Sequence, residues 1–292
     1  MRVLVTGSDG NIGKEQVRQL LEAGHEVRGL DRTAQRKGVD YEYLSGDIRD
    51  IYLLRKAVAG MDAVMHLGAI PSDRHGHSDD VLSTNVQGTW NLLIACVEAG
   101  VGRVINYSSI NALGCVGGYK PAISLPIDDA YPRHPYSPYQ LSKHLGEEAC
   151  ACFTARHGLV TLSFRPTWVA DPTHYEWFHT NIERVAGHSK VEYWAYVDRR
   201  DVCRAAMLAL TLEGVQNDAF LLSAKDTTVN IPTPELLETY YADTPWHINR
   251  DAYLSQNTYR ALVDTSHAKE VLGWEPRHSW RDEEYKESVK DE

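Results

Sequence analysis

The 292-residue sequence predicts an α/β protein built on a doubly wound parallel sheet, with a small C-terminal substrate lobe. Three observations predict it. Short Val/Ile/Leu-rich runs alternate with longer stretches of helical periodicity through the first half of the chain, the pattern of βαβ units. Glycines close several of those helical stretches, as helix C-termini prefer. The first apolar run leads straight into a glycine-rich turn, Thr6-Gly7-Ser8-Asp9-Gly10-Asn11-Ile12-Gly13.

Taken in order, strands are expected at 3–6, 26–30, 41–44, 63–66, 103–107 and 160–164. Helices are expected at 12–23, 51–58, 80–99 and 138–156, with Gly24, Gly60, Gly100 and Gly158 at their ends. After Arg165 the alternation gives way to aromatic and His-rich sequence, then resumes as a helix near 201–212 and a strand near 219–222. This places the sheet domain at 1–165, with 198–222 returning to it, and the small lobe at 166–197 and 223–292. Residues 280–292 are mostly charged and are expected to fray.

A chain of this length suits roughly two domains at about 150 residues each and buries enough surface to need no disulfide or metal staple. Its five cysteines, Cys96, Cys115, Cys150, Cys152 and Cys203, are odd in number and include no CxxC, which points to a reducing cytoplasm. Cys150 and Cys152 read as small buried residues. Thirty Lys and Arg stand against 40 Asp and Glu, a net charge of −10, and no basic block could track a phosphate backbone. Nucleic acid and anionic membranes are therefore poor partners. No apolar run approaches the ~20 residues of a membrane span, and the N-terminus does not read as a signal peptide.

The glycine turn carries the first functional signal. Gly7 permits a tight strand-to-helix turn, Gly10 lets backbone amides approach a phosphate, and Gly13 lets the helix pack close to the sheet with its positive end toward an anion. Gly7, Gly10, Asn11, Ile12 and Gly13 are the candidate pyrophosphate contacts. The second strand ends at Asp31, eighteen residues after Gly13, where an acid accepts ribose hydroxyls. Asp31 would repel the 2′-phosphate of NADP, so NAD is the expected cofactor, although Arg32 and Arg36 lie close enough to soften that preference. Asp47 and Ile48 follow the third strand, where a carboxylate and an apolar side chain can meet adenine; Asp47 is equally placed to cap the next helix.

Tyr139 and Lys143 are four apart, so on a helix they share a face. A free tyrosine titrates near pH ~10, and a fixed cation nearby lowers that value toward one useful to a general base.

These features stand together with His66-Leu67-Gly68-Ala69, Asn85-Val86-Gln87-Gly88-Thr89, Tyr107-Ser108-Ser109, Arg165-Pro166-Thr167, Val197-Asp198 and Leu272-Gly273-Trp274-Glu275-Pro276. In that order and spacing the chain resembles, over nearly its whole length, the extended short-chain dehydrogenase/reductases of the NAD-dependent epimerase/dehydratase type, which are Rossmann-fold enzymes. The resemblance implies that Tyr139 is the acid/base, that Lys143 holds the nicotinamide ribose, and that Ser109 hydrogen-bonds the reacting oxygen. Ser109 is chosen over Ser108 because Gly114 follows it by five, leaving Ser108 as a backbone-facing neighbour. It further implies that Leu67, Gly68 and Ala69 line the cofactor channel with Tyr107, and that Pro166 and Thr167 approach the nicotinamide amide. Asn85 would sit beside the site or bridge the backbones of two strands. A homodimer through the helices at 80–99 and 138–156 is implied in the same way; Leu141, Leu145, Ala149 and Cys152 form an apolar stripe consistent with subunit contact or core.

The departures bear on substrate. Trp168 stands where nucleotide-sugar members carry a substrate-binding Asn, and only 24 residues separate Pro172 from Val197, a shorter stretch than nucleotide-sugar enzymes devote to gripping a diphosphate. The short lobe is similar to that of uronate dehydrogenases. No arginine follows Arg165 until Arg184, which weakens a uronate in particular. Ile110 occupies the place of the acid that dehydratases use, which argues against dehydration. Arg74, His75, Asn111, Trp168 and His174 are the candidate substrate contacts. Trp168, Tyr175, Trp177, Tyr193, Trp194 and Tyr196 suit a sugar face or, equally, form the core of the lobe. His75 and His77 have no further ligands at a metal-site spacing, so no metal is expected. The function expected is hydride transfer between NAD and a carbinol of a non-nucleotide sugar, sugar acid or polyol. A nucleotide-sugar 4-epimerase is the alternative, and a non-catalytic nicotinamide sensor the alternative of another class.

Overall fold

The computed structural model describes residues 1–34, 39–180 and 182–282. From the N-terminus run β1 (Arg2–Thr6), α1 (Asn11–Glu22), β2 (Glu26–Asp31), β3 (Glu42–Ser45), α2 (Ile51–Val58), β4 (Ala63–His66), α3 (Ser78–Leu82), α4 (Gly88–Ala99), β5 (Arg103–Tyr107), α5 (Pro138–His157) and β6 (Val160–Pro166). There follow β7 (Trp168–Ala170), α6 (Pro172–Thr180), α7 (Ile182–Ser189), β8 (Tyr196–Asp198), α8 (Arg199–Ala209), β9 (Asn217–Leu222), α9 (Thr233–Tyr240), α10 (Arg250–Leu254) and α11 (Ser266–Leu272). Two compact units result. The first comprises Met1–Gly114, His134–Arg165 and Cys203–Phe220; the second comprises Cys115–Arg133, Pro166–Val202 and the chain from Leu221 onward.

Among the described residues one sheet has the order β3-β2-β1-β4-β5-β6-β9, and β1 through β6 pair in parallel. This is the doubly wound sheet the alternation predicts. Strand order reverses between β1 and β4, and ligands of such sheets bind beyond the carboxyl ends of the strands at that point. All four residues of β4 are buried, as expected of a central strand covered on both faces. Leu4, Leu30, Leu54, Val64, Leu92 and Leu93 expose no surface and form the centre of one core cluster, each worth about 1.5–3 kcal/mol of burial.

The expected helix at 80–99 begins earlier and is not uniform: α3 passes through a π-helical turn, Ser83–Gln87, into α4. Such turns insert one extra residue and occur often at functional sites; this one carries Asn85. On α5, Cys150 is buried but Cys152 is exposed, so the buried reading of Cys152 is corrected. Leu141 and Leu145 are about one-third exposed and Ala149 is buried.

In the second unit β7 and β8 form a parallel pair. Tyr175, Phe178, Tyr196 and Trp280 are buried in one cluster against which Trp168 and Trp177 pack, and Tyr193 and Trp194 are also buried. Most of the lobe's aromatic residues are thus its core. The C-terminal expectation is corrected for its first residues. Trp280 donates its indole N–H to the Thr227 carbonyl at 2.8 Å, and Arg281 pairs with Asp226; residues 283–292 lie outside the described residues.

The cap of α2 is Asp50, whose carboxylate accepts the backbone N–H groups of Tyr52 and Leu53 at 2.9 and 3.2 Å. Asp47 does not cap this helix; it forms a fork with Arg49. Asp50→Ala is therefore expected to cost about 1 kcal/mol in urea unfolding, whereas Asp47→Ala, which breaks a half-exposed pair, costs less than half of that.

Candidate active site

The site begins where β1 turns into α1. Gly7 has φ +69° and donates its N–H to the Leu30 carbonyl at 2.7 Å. A Cβ on Gly7 would fall 2.8 Å from the Gly68 nitrogen, and one on Gly13 would fall 2.0 Å from the Gly7 carbonyl oxygen. Only glycine fits at either position, and the close approach brings the start of α1 against the ends of β1 and β4. Gly10 stands at the helix N-cap with no side-chain cap, and Gly10 and Asn11 are exposed. The positive end of α1 is thus open to an anion. Side chains are excluded from the same turn by backbone contact, so these residues fit a pyrophosphate.

Asp31 is half-buried at the end of β2 and accepts from the backbone N–H of Asp9 at 2.9 Å, which ties the glycine turn to the second strand. Arg32 is exposed; Arg36 lies outside the described residues. Arg49 holds the Asp47 carboxyl below the usual carboxylate range. Ile48 is buried, and a Cβ on Gly88 would meet its Cδ1 at 2.7 Å. Its side chain packs in the core and reaches the Gly68 turn, where a Cβ would meet its Cγ2 at 3.3 Å.

Behind the strand ends runs a buried polar chain. The Gly68 N–H donates to Thr6 Oγ1 at 3.0 Å, Thr6 Oγ1 lies 2.8 Å from His66 Nδ1, and His66 Nε2 lies 3.0 Å from Thr89 Oγ1. Thr89 donates its proton to the Asn85 carbonyl at 2.6 Å. With that proton committed, Thr89 can only accept from His66, so the imidazole carries its hydrogen on Nε2 and accepts the Thr6 hydroxyl at Nδ1. Burial, and secondarily the Lys143 cation, push the His66 pKa down to about 3, which matches a neutral ring. The Asn85 side chain accepts from the Ile70 N–H at 2.7 Å and donates to the Ile70 carbonyl and to Ser142 Oγ, each at 3.0 Å. It therefore joins the loop after β4 to α5 rather than bridging two strands. Gly68, Ala69, Asn85, Tyr107, Ser142 and Lys143 line one cavity; Leu67 meets Gly7 through its backbone.

Pro138 and Ser137 start α5, and Ser137 accepts from the Gln140 N–H; Asp73, in the loop after β4, accepts the Tyr139 N–H at 2.8 Å. Lys143 Nζ donates to the Tyr107 carbonyl at 2.7 Å and stands 5.8 Å from the Tyr139 ring centroid. The Tyr107 hydroxyl points the other way, donating to Gln16 at 2.5 Å. Ser109 acts on the Tyr139 phenol as a side-chain neighbour. Burial pushes the Tyr139 pKa up to about 12, Ser109 opposes this, and the Asp73 charge adds to it. The expectation that Lys143 brings the phenol down is thus corrected. The ammonium is engaged by a backbone carbonyl, and burial lowers its own pKa to about 8 against the pull of Glu147.

Ser108, expected to face the backbone, donates instead to Glu147 Oε1 at 2.6 Å. Arg165 grips the same carboxylate, Nε to Oε1 at 3.0 Å and Nη2 to Oε2 at 2.7 Å, and both side chains are at least 96% buried. No functional place was foreseen for this triad. Its signal was an arginine in an otherwise uncharged strand, and a glutamate one turn beyond Lys143.

Of the candidate substrate contacts, Arg74 and His75 are exposed, with His75 Nδ1 2.6 Å from Ser72 Oγ. Asn111 turns its amide onto Ser109 Oγ at 3.1 Å. In the second unit Thr167 is buried and donates its N–H to the Leu222 carbonyl at 3.0 Å, immediately after Pro166. Half-buried Trp168 meets His174 edge-on, and His174 Nδ1 lies 3.1 Å from Asp171.

A sheet of this strand order, opening through a glycine turn of this shape, is a Rossmann-type dinucleotide-binding fold. The chain belongs to the NAD-dependent epimerase/dehydratase family, whose model matches residues 3–222. It is 28% identical over 316 residues to a dTDP-glucose 4,6-dehydratase of Streptomyces niveus, covering 97% of this chain and 90% of that protein. It is 32% identical over 166 residues to a uronate dehydrogenase of Pseudomonas syringae pv. tomato, covering 56% of this chain and 58% of that one. A solved UDP-glucose 4-epimerase from Thermotoga maritima shares the fold over the full length of both chains, with a TM-score of 0.74 at 24% identity.

Because His66 titrates far lower folded than unfolded, the unfolded chain binds the extra proton below about pH 6.5, and stability must fall as pH falls through that range. Between pH 6.5 and 5 the loss is expected to be about 2 kcal/mol greater in the native protein than in His66→Gln, which cannot charge. Urea unfolding at the two pH values measures it, and equal losses would remove His66 from the account.

Proposed function

We propose that this protein is an NAD-dependent dehydrogenase or reductase acting on a free sugar, sugar acid or related polyol. The observation that carries the reading is Tyr139 one helical turn before Lys143, its ring 5.8 Å from the ammonium, with Ser109 acting on its phenol. A hydroxyl donor and a phenol meeting at one point are what a carbinol needs, since its proton must leave as its hydride does. Bound NAD would supply the hydride acceptor. Gly7, Gly10, Asn11, Ile12 and Gly13 would hold its pyrophosphate, Asp31 its adenosine ribose, Lys143 the nicotinamide ribose, and Gly68, Ala69 and Asn85 the wall of its channel. Pro166 and Thr167 would approach the amide. In oxidation the substrate hydroxyl gives its proton to the phenolate form of Tyr139 while the Ser109 hydroxyl, turned to the substrate, steadies the oxygen; in reduction the Tyr139 phenol returns that proton to the carbonyl oxygen.

Two features favour this chemistry over that of other family members. Ile110, which is buried, follows Ser109 where a dehydratase places an acid, so this chain has no group there to remove a proton beside a keto function. The short stretch from Pro172 to Val197 leaves little chain for a diphosphate grip, and without that grip a rotating keto intermediate would be lost. The 32% identity to a uronate dehydrogenase over 166 residues supports the same direction. Asp31 favours NAD over NADP. Arg74, His75, Asn111, Trp168 and His174 are the side chains proposed for the substrate, and a homodimer through α4 and α5 is proposed on the strength of partly exposed Trp90, Leu141 and Leu145.

The test is reduction of NAD and of NADP, followed by nicotinamide absorbance, against free sugars, uronic acids, polyols and nucleotide sugars. A free sugar or acid is expected to reduce NAD, with Tyr139→Phe slower by about 10²–10⁴-fold. Because Tyr139 is a neutral phenol across the ordinary range, oxidation is expected to accelerate by up to tenfold per pH unit on the alkaline side while reduction does not. Isomerisation of a nucleotide sugar with no net cofactor reduction would replace this reading with the epimerase.

A further inference from the structure

We propose that Asn111 fixes the polarity of the Ser109 hydroxyl, holding it as a donor, toward Tyr139 while no substrate is bound. The inference rests on the reading of Ser109 and Tyr139 as the reacting pair. Asn111 is a positioning residue in this account: it touches Ser109, not the reacting atoms.

Ser109 opens a short 3₁₀ turn, Ile110–Leu113, from extended backbone. Its Oγ receives two N–H groups from one residue, the Asn111 backbone nitrogen at 3.2 Å and the Asn111 side-chain Nδ2 at 3.1 Å. A serine hydroxyl has two acceptor positions and one proton. Both acceptor positions are taken, so Ser109 has no lone pair left to receive the Tyr139 proton and acts on the phenol only as a donor. That direction is the one that matters chemically. Donation to the phenolic oxygen stabilises phenolate, whereas acceptance from it would stabilise the neutral phenol. Ser109 acts on Tyr139 in the first sense. Two donors on Oγ also polarise the serine O–H and strengthen the bond it makes.

The turn is built so that this arrangement cannot drift. It ends at Gly114 in the left-handed region, φ +71°, where a Cβ would lie 2.0 Å from the His134 carbonyl oxygen, and the His134 N–H donates to the Leu113 carbonyl at 2.9 Å. Asn111 therefore sits at a fixed distance from Ser109. Its amide, a candidate substrate contact in the sequence, places one N–H on Ser109 within the turn. Within this unit the charges facing Tyr139 are Asp73 from the loop after β4 and Lys143 from α5, and neither is altered below.

The experiment places a ring-fluorinated tyrosine at position 139 of the full chain, which brings the phenol into a range where the fold survives, and titrates it by fluorine NMR without cofactor or substrate. Four backgrounds are compared: Asn111 intact, Asn111→Ala, Ser109→Ala and the double substitution. Asn111→Ala is expected to lower the acid dissociation constant of the probe roughly threefold, a rise of about half a pH unit; Ser109→Ala lowers it at least as much. Adding Asn111→Ala to Ser109→Ala changes nothing further, because the effect passes through the serine. An equal shift in both serine backgrounds, or no shift with Ser109 present, overturns the proposal. Should the alanine variant fail to fold, Asn111→Asp serves. Its carboxylate takes the serine proton, so the probe rises more with Ser109 present than in Ser109→Ala, and equal rises overturn the proposal. An empty substrate panel with positive coupling sinks the dehydrogenase reading alone; a productive panel with no coupling sinks only the role of Asn111.

Discussion

Every polar group carried inward at the ends of the central strands must find a partner, and the site takes its form from how those partners are found. Thr6 ends β1, His66 ends β4 and Tyr107 ends β5, all buried. An unpaired group at such depth costs about 1–3 kcal/mol, so the three ends cannot be left alone. Thr6 and His66 pair with each other and pass the chain on to Thr89 and the Asn85 carbonyl. The Tyr107 carbonyl is met by Lys143. The consequence is geometric: α4 and α5 are held to the strand ends by hydrogen bonds with one permitted direction each, and side chains at the mouth of the site inherit that rigidity.

The charges obey the same rule at a higher cost. Lys143, Glu147 and Arg165 are drawn together within buried surroundings, and isolated burial of any of them would be prohibitive. Glu147 resolves this by accepting a two-point fork from Arg165 and the hydroxyl of Ser108. Its remaining field helps to keep Lys143 an ammonium against burial. The cluster also fixes Ser108, the residue that carries the backbone into Ser109. A buried ion pair of this kind is weak evidence of stability but a good device for fixing the position of a loop.

The fold was largely legible because its signals are local. Periodicity located every strand of the main sheet to within two residues, and Gly7 and Gly13 announced a contact that backbone sterics then required. The side-chain pairings were less legible, since they depend on which partner the third dimension supplies. Asp47 and Asp50 are equally plausible caps in the sequence, and only the placement of Arg49 separates them. The π turn at Ser83–Gln87 leaves no mark in composition. The run of aromatics from Trp168 to Tyr196 suits a ligand face or a core, and burial assigns most of it to core.

The least intuitive feature is the direction in which Tyr139 is tuned. A cation one turn away suggests a phenol brought down toward neutrality, yet Lys143 is held by a carbonyl and burial dominates. At rest the phenol is therefore a proton donor, suited to returning a proton to a carbonyl oxygen. For the site to take a proton in the opposite direction, phenolate must be stabilised by something that touches the oxygen itself. Within the described residues of this unit that contact is the Ser109 hydroxyl. A serine free to rotate would spend part of its time accepting rather than donating, and its help would fall accordingly. On the proposed reading the orientation of one hydroxyl therefore bears on the phenol more directly than the nearby ammonium, whose hydrogen bond goes to the Tyr107 carbonyl.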